Sequence, residues 1–241
     1  MVTNMIKIYG KNCVYEAIRA KSKLQCVFLS DFMAKKDKNI LDILTKNGYA
    51  YKILPKDKMD KEFTSQNQGY GAYRADYRIY DESYLNSLAD ASRILILDGI
   101  QDPHNLGAIL RSVDAFGYDL VILPKNRSCM INETVAHVST GAIEHTRVMY
   151  VNSLLSAVTK LKEQGFWICG TDAKGNVRCK DIDRSLRLAV IIGSEGFGMS
   201  KTLVNQSDFL ITIPMVGHVN SLNASVSTGI VLAELMKEIE E

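Results

Sequence analysis

The chain has 241 residues, 46% hydrophobic and 23% charged, a globular composition. It has no apolar core of signal-peptide length at its start and no window near the ~18 apolar residues of a membrane span, so a cytoplasmic protein without membrane contact is expected. Five cysteines, at 13, 26, 129, 169 and 179, are odd in number and form no C-x-x-C pair, which argues against a disulfide scaffold or a zinc knuckle and for a reducing compartment. The net charge of +2 hides an asymmetry: residues 1–80 carry 15 Lys and Arg against 8 Asp and Glu, while residues 81–241 carry 14 against 19.

The basic first part reads as a small α/β unit. Val14, Ala17 and Ile18 form an apolar stripe at helical spacing, and Cys26–Leu29 is a buried strand. Ile40 to Leu44 mark a helix that stops at Asn47-Gly48. A strand over 49–54 ends at Pro55, and a short helix covers 59–63. The tyrosine-rich stretch 66–80 alternates and is read as one strand after a Gly-rich turn. Lys35, Lys36, Lys38, Lys56, Lys58 and Lys61 either solvate a surface or meet a polyanion. Residues 81–92 are polar and small, and serve as the expected linker.

From residue 93 the pattern changes. Apolar strands over 93–97, 120–123, 148–151, 166–170, 188–192 and 209–213 alternate with helices over 106–116, 133–139, 154–161 and 222–239. That order predicts a mainly parallel sheet covered on both faces. The last helix, with Leu222, Val226, Ile230, Val231, Leu232 and Leu235, is apolar around most of its circumference and is expected to be buried.

Ligands of such sheets bind beyond the carboxyl ends of the strands, and three of these ends are chemically dense. The first reads DGIQDPHNLGAILRS, with Asn105 and Arg111. Asn105 is read either as a helix cap or as a site residue. Arg111 is read either as paired with Asp102 or Asp114 or as a site residue; the two are six apart and can converge if Asn105 lies in the loop. The second reads GSEGFGMS, where three glycines let the backbone approach a ligand and Glu195 is a functional carboxylate or a helix-start charge. It is neither a P-loop nor a dinucleotide fingerprint. The third is IPMVGHVNSLNAS, where Ser221, Asn223 and Ser225 either cap a helix or line a site.

Together, Asn105 with Arg111, Gly193-Ser194-Glu195-Gly196, and Ile213-Pro214-Met215 with Ser221-Leu222-Asn223 resemble the three ordered motifs of the SpoU/TrmH family, the SPOUT-class RNA ribose 2′-O-methyltransferases. The resemblance covers about residues 93–240. Residues 1–80, closing on NQGYGAY, are similar to the ribosomal-protein-like RNA-binding domain of one branch, whose members methylate a guanosine of bacterial 23S rRNA. The resemblance implies an N-terminal RNA-binding domain over 1–80, a linker over 81–92, and a catalytic SPOUT domain over 93–241 with a deep trefoil knot and a homodimer packed through it.

It also implies S-adenosylmethionine as cofactor, held near Gly193, Ile213 and Leu222, no metal, and RNA as partner. Arg111, Asn105, Glu195, Ser221 and Asn223 map to its functional polar set. Because guanidinium stays protonated, the role expected of Arg111 is gripping a phosphate and stabilising charge on the 2′-oxygen, while His104 is read as a loop histidine in preference to a spare base. Tyr70, Tyr73 and Tyr77 are either stacking partners for bases or one face of a strand. Methylation of tRNA, or a catalytically silent RNA-binding factor, are the alternatives to rRNA methylation.

Overall fold

The computed structural model describes residues 5–89, 92–218 and 221–237. The chain forms two compact units. The first comprises residues 1–77 together with 131–145, and the second comprises 78–130 and 146–241.

In the first unit the chain runs β1 (Met5–Tyr9), α1 (Lys11–Arg19), β2 (Leu24–Ser30), α2 (Asp31–Lys36), α3 (Lys38–Lys46), β3 (Tyr51–Leu54), α4 (Lys56–Phe63) and β4 (Tyr70–Ala75). The sheet order is β1-β4-β2-β3, with β4 antiparallel to both neighbours and β2 parallel to β3. The α1 stripe of Val14, Ala17 and Ile18 is buried, as are Ile40 and Leu44 of α3. α2 was not foreseen; Ser30 caps it by accepting from the Met33 N–H at 3.2 Å. The six lysines of the basic runs are exposed.

The tyrosine-rich stretch is not one strand. It breaks after Ala75, and Ile79–Tyr80 form a separate strand, β5, in the sheet of the second unit. Nor are its tyrosines offered to bases. Tyr70 and Tyr77 are buried. Tyr73 packs edge-on against Phe28 and donates its hydroxyl proton to Glu62. The Tyr70 hydroxyl donates to Asp37 at 2.7 Å.

Residues 131–145 complete the first unit from a distance in sequence. Glu144 takes a two-pronged grip from Arg74, with Nε to Oε1 and Nη2 to Oε2 both at 2.8 Å, and accepts from the Ser22 hydroxyl at 2.6 Å. The His137 ring stacks on Tyr9 with centroids 4.2 Å apart. Val135, Ala136 and Ile143 are buried. Their side chains look locally amphipathic, so the sequence pattern carries no sign of which sheet they cover.

The chain continues with β6 (Ile94–Asp98), α5 (Pro103–Ala115) and β7 (Leu120–Pro124) of the second unit, α6 (Glu133–Val138) of the segment that belongs to the first, and then, in the second unit again, β8 (Val148–Val151), α7 (Leu154–Glu163), β9 (Trp167–Thr171), β10 (Val177–Arg178), β11 (Leu188–Gly193), α8 (Lys201–Gln206), β12 (Phe209–Thr212) and α9 (Ala224–Leu235). In this second unit the strands form one sheet. Its eight strands are ordered β10-β12-β9-β11-β6-β7-β8-β5, every pair parallel. The continuous apolar runs of β6, β7, β8 and β11 are buried, as a doubly covered sheet requires. Within the stretch expected as a linker, residues 82–87 form a 3-10 turn whose Leu85 joins this core. Arg93, 2% exposed, donates its guanidinium protons to the carbonyls of Arg184 and Leu186, fastening the loop that leads into β11.

The last helix differs from expectation. It begins at Ala224 rather than near residue 222, and residues 238 and 239 of the expected span lie outside the described residues. Leu235, Val231 and Leu232 are buried, but Leu222, Val226 and Ile230 are exposed, with Val226 at 51%. One side of α9 packs on the unit, α5 included, and the other remains an apolar stripe in water.

Candidate functional site

The parallel sheet carries three loops to one place. β11 lies between β9 and β6, with Gly193 opposite Asp98, so the loop after β11 emerges beside the loop after β6. Gly193 has no room for a side chain: a Cβ there would sit 2.1 Å from the backbone carbon of Gly198 and 2.3 Å from the Met199 nitrogen. This close approach lets residues 194–198 fold into a tight hairpin, closed by the Ser194 N–H to the Gly198 carbonyl at 3.1 Å and the reverse bond at 2.9 Å. Beyond it, the Ser200 N–H donates to Asp98 Oδ2 at 2.8 Å, which ties the hairpin to the end of β6.

After β6, Asp102 caps α5 by accepting from the His104 N–H at 3.0 Å, with Pro103 in the first turn where its missing N–H costs nothing. Asn105 therefore stands on the helix and not in the loop. After β12, the cap of α9 is Asn223 rather than Ser221: its Oδ1 accepts from the Ser225 N–H at 2.9 Å and the Val226 N–H at 3.4 Å.

Asn105, Glu195 and Asn223 meet. Glu195 Oε1 accepts from Asn223 Nδ2 at 2.7 Å, from the Ala224 N–H at 2.9 Å and from Asn105 Nδ2 at 3.3 Å. Asn223 Nδ2 also donates to Asn105 Oδ1 at 2.9 Å. A carboxylate at the first N–H groups of a helix is electrostatically favoured there. Its second oxygen, Oε2, makes no hydrogen bond with any described residue.

Two cavities open against this cluster. The smaller, about 290 Å³, is lined by Gly193, Ile213, Ser221 and Leu222, with Thr171 and Asp172 from the end of β9. The larger groove, about 970 Å³, runs from Asp98 and Asn105 past Arg127, Asn152 and Phe197. Ser194, Glu195, Gly198 and Ala224 line both.

Of the residues singled out in sequence, Gly193, Ile213, Ser221 and Leu222 thus share the small cavity, Glu195 lines both cavities, Asn105 lines the groove, and Asn223 reaches them through its hydrogen bonds to Glu195 and Asn105. Arg111 is not brought to them. With Asn105 inside α5, six helical positions separate the two, about 120° around the axis. Arg111 is exposed, lines neither cavity and has no ion pair among the described residues, with Asp102 and Asp114 included. His104 is likewise exposed, in the first turn of α5. Sequence reasoning missed Thr171 and Asp172, although the end of β9 was as visible as the other strand ends, and it missed Phe197 and Arg127. Among the described residues no cluster of metal-ligating side chains is present, and no helix is long and apolar enough to cross a membrane.

The description of the SpoU rRNA methylase family matches residues 92–233, and that of an RNA 2′-O ribose methyltransferase substrate-binding domain matches residues 7–79. The chain belongs to the SpoU/TrmH family of RNA methyltransferases. SpoU relatives include a protein of Staphylococcus saprophyticus provisionally named a TrmH family tRNA/rRNA methyltransferase. It is 42% identical over 238 residues, covering 97% of this chain and 96% of the relative. A Staphylococcus aureus protein of the same name is 41% identical over 239 residues, covering 96% and 95%. Among solved structures, the SpoU methyltransferase AviRb of Streptomyces viridochromogenes, in complex with AdoMet, aligns with a TM-score of 0.80 at 19% identity over 96% of this chain and 89% of that one. An AdoMet-bound rRNA methyltransferase of Sinorhizobium meliloti aligns with a TM-score of 0.77 at 20% identity, over 97% and 87%. These structural likenesses speak for the SpoU fold, an N-terminal subdomain followed by the parallel-sheet SPOUT domain.

Proposed function

We propose that this chain methylates a ribose 2′-hydroxyl of RNA, with a guanosine of 23S rRNA as the target and S-adenosylmethionine as the donor. The observation that carries the reading is Glu195, held by Asn105 and Asn223 and lining both a small, partly apolar cavity and a larger groove.

The small cavity fits the donor. Ile192, Ile211, Ile213, Met215 and Leu222 supply apolar walls for a flat base, while Ser221, Thr171 and Asp172 supply polar contacts. The bare backbone at Gly193 removes side-chain bulk at the floor. When bound, S-adenosylmethionine supplies an electrophilic methyl on a sulfonium, so no metal is required. Asn105 and Asn223 hold Glu195 in one orientation, and Glu195 Oε2 accepts a hydrogen bond from the ribose, fixing the hydroxyl in line for attack. Orientation is the main task, because the reaction asks the protein for positioning and loss of one proton.

In this reading Arg111 acts from outside the cluster of its own chain. Its place and the apolar stripe of Leu222, Val226 and Ile230 both favour a homodimer, in which α9 is covered and Arg111 serves a neighbouring site. The knotted threading implied by the family belongs to the same proposal, as does a cytoplasmic site of action. The exposed lysines of the first unit supply sequence-independent affinity for RNA phosphates.

The decisive experiment maps 2′-O-methylation across all rRNA and tRNA in cells with and without this protein. Loss of one 23S guanosine methylation is expected. A lost tRNA methylation would move the substrate, and no lost methylation, with no calorimetric signal for S-adenosylmethionine, would leave only an RNA-binding factor.

A further inference from the structure

Taking the methyltransferase reading as its base, we infer that the larger groove seats an unstacked nucleotide of single-stranded RNA, with a base stacked on Phe197 and a backbone phosphate held by Arg127. The groove's volume of about 970 Å³ lies at the upper end of ligand sites and exceeds what one small cofactor fills. Its lining mixes polar side chains, Asn105, Asn126, Arg127 and Asn152 among them, with apolar ones such as Leu154 and Phe197, as a site for a base with its ribose and phosphate requires.

Phe197 is 94% exposed at the tip of the hairpin after β11. The hairpin is fastened at its base by the paired Ser194 and Gly198 backbone bonds and at its exit by the Ser200 N–H on Asp98. The ring is therefore presented over the groove by a tied loop, with no neighbour covering it. Aromatic rings displayed in this way bind bases of any identity, because every base has a π face. A duplex offers no free base face, so the occupant must be single-stranded or flipped.

Arg127 is the one cation among the described residues that line either cavity. Its guanidinium is exposed and engages no described residue. The three acids among the described lining residues have other partners: Asp98 accepts from the Ser200 N–H, Asp102 from the His104 N–H, and Glu195 from Asn223 and the Ala224 N–H. A guanidinium in that state is suited to the two-pronged capture of a phosphate. Glu195 and Phe197 are two residues apart on one hairpin, at most ~7 Å between their Cα atoms. A base on the ring thus brings its own ribose to the carboxylate, which is the arrangement the methylation needs.

The test uses the full-length protein and a single-stranded RNA hexamer of mixed sequence, with the matching duplex as control. F197A and R127A are each expected to weaken hexamer binding on the order of tenfold, while F197W retains it. In a W167F background, which removes the only other tryptophan, the indole of F197W should be quenched by the hexamer and not by the duplex. Calorimetric affinity for S-adenosylmethionine and the mass in solution should not change. Unaltered hexamer affinity in both variants would overturn the proposal. So would a loss of cofactor affinity or a change in mass in step with the loss of RNA, since the ring would then be part of the cofactor site or of an interface between copies. Phe197-dependent hexamer binding by a protein that takes no S-adenosylmethionine would uphold the groove and overturn the methyltransferase reading.

Discussion

One amide nitrogen of Asn223 serves two acceptors, Glu195 Oε1 at 2.7 Å and Asn105 Oδ1 at 2.9 Å, while the oxygen of the same side chain caps α9. Asn223 therefore links helix start, hairpin and α5 through one planar group. The two jobs separate by substitution. N223D keeps an oxygen on the Ser225 N–H but sets a second carboxylate against Glu195. N223A loses both jobs. N223A is expected to cost about 1 kcal/mol of stability, the usual worth of a cap, and N223D less. Both should lower kcat/KM by roughly ten- to hundredfold, as losing a charged hydrogen bond does. Thermal melts beside methyl-transfer rates check this; activity that follows the melts alone would make Asn223 purely structural.

Glu195 offers a sharper contrast. E195Q still accepts the Ala224 and Asn223 protons on its carbonyl oxygen, so the fold of the hairpin should survive. Turnover should fall by on the order of a hundredfold if the free carboxylate oxygen holds the ribose hydroxyl. Near-normal kcat in E195Q would show that only the shape of the side chain matters.

How much of this was legible varies with the physics behind it. The parallel sheet and its strand ends were readable because buried strands are continuous apolar runs and ligand loops follow them. Asn105, Glu195 and Asn223 follow from that rule. Convergence of Arg111 with Asn105 depends on Asn105 lying in the loop, and the start of α5 decides that: Pro103 at its first position places Asn105 on the helix, and a six-residue separation then divides the faces. The exposed side of α9 was hidden because apolar residues all around a helix do not reveal which of them the same chain covers. The return of residues 131–145 to the first sheet depends on packing partners more than fifty residues away, such as Arg74 on Glu144, and local pattern holds no record of them.

Arg111 lends itself to complementation. R111A and E195A proteins should each be inactive in methyl transfer, with S-adenosylmethionine binding kept in R111A. If Arg111 serves a neighbouring copy, mixing the two after partial unfolding and refolding should recover up to about a quarter of wild-type activity, because random pairing yields one intact site in half of the dimers. No recovery would return Arg111 to a role within its own chain or to none.

The returning segment changes what deletion of the N-terminal part should do. Removing residues 1–77 strips the cover from Val135, Ala136 and Ile143 and leaves Glu144 without Arg74. The fragment is therefore expected to melt lower and aggregate, rather than to keep cofactor affinity as a separate domain would. The milder R74A should already cost about 3–5 kcal/mol, since Glu144, with its side chain 2% exposed, would be left charged and unpaired. E144Q should cost less. Urea denaturation followed by circular dichroism measures both; equal effects would mean that the ion pair adds nothing beyond its hydrogen bonds.

Acid should loosen the first unit through Asp37. Burial alone would raise this carboxyl, but the hydroxyls of Tyr15 and Tyr70, each at 2.7 Å, and Lys11 at 3.5 Å outweigh it and hold the carboxyl below its ordinary 3.8. A group whose folded value is depressed adds stability that is full above the unfolded value and disappears as pH falls through the folded one. The urea midpoint of the wild type should therefore be level from pH 7 to about 5 and decline below pH 4. D37N removes the titrating group, so its midpoint should start lower at pH 7 and fall less steeply between pH 4 and 3. Parallel curves for the two proteins would show that other carboxylates, Glu62 beside Tyr73 and Lys7 among them, govern the acid limb.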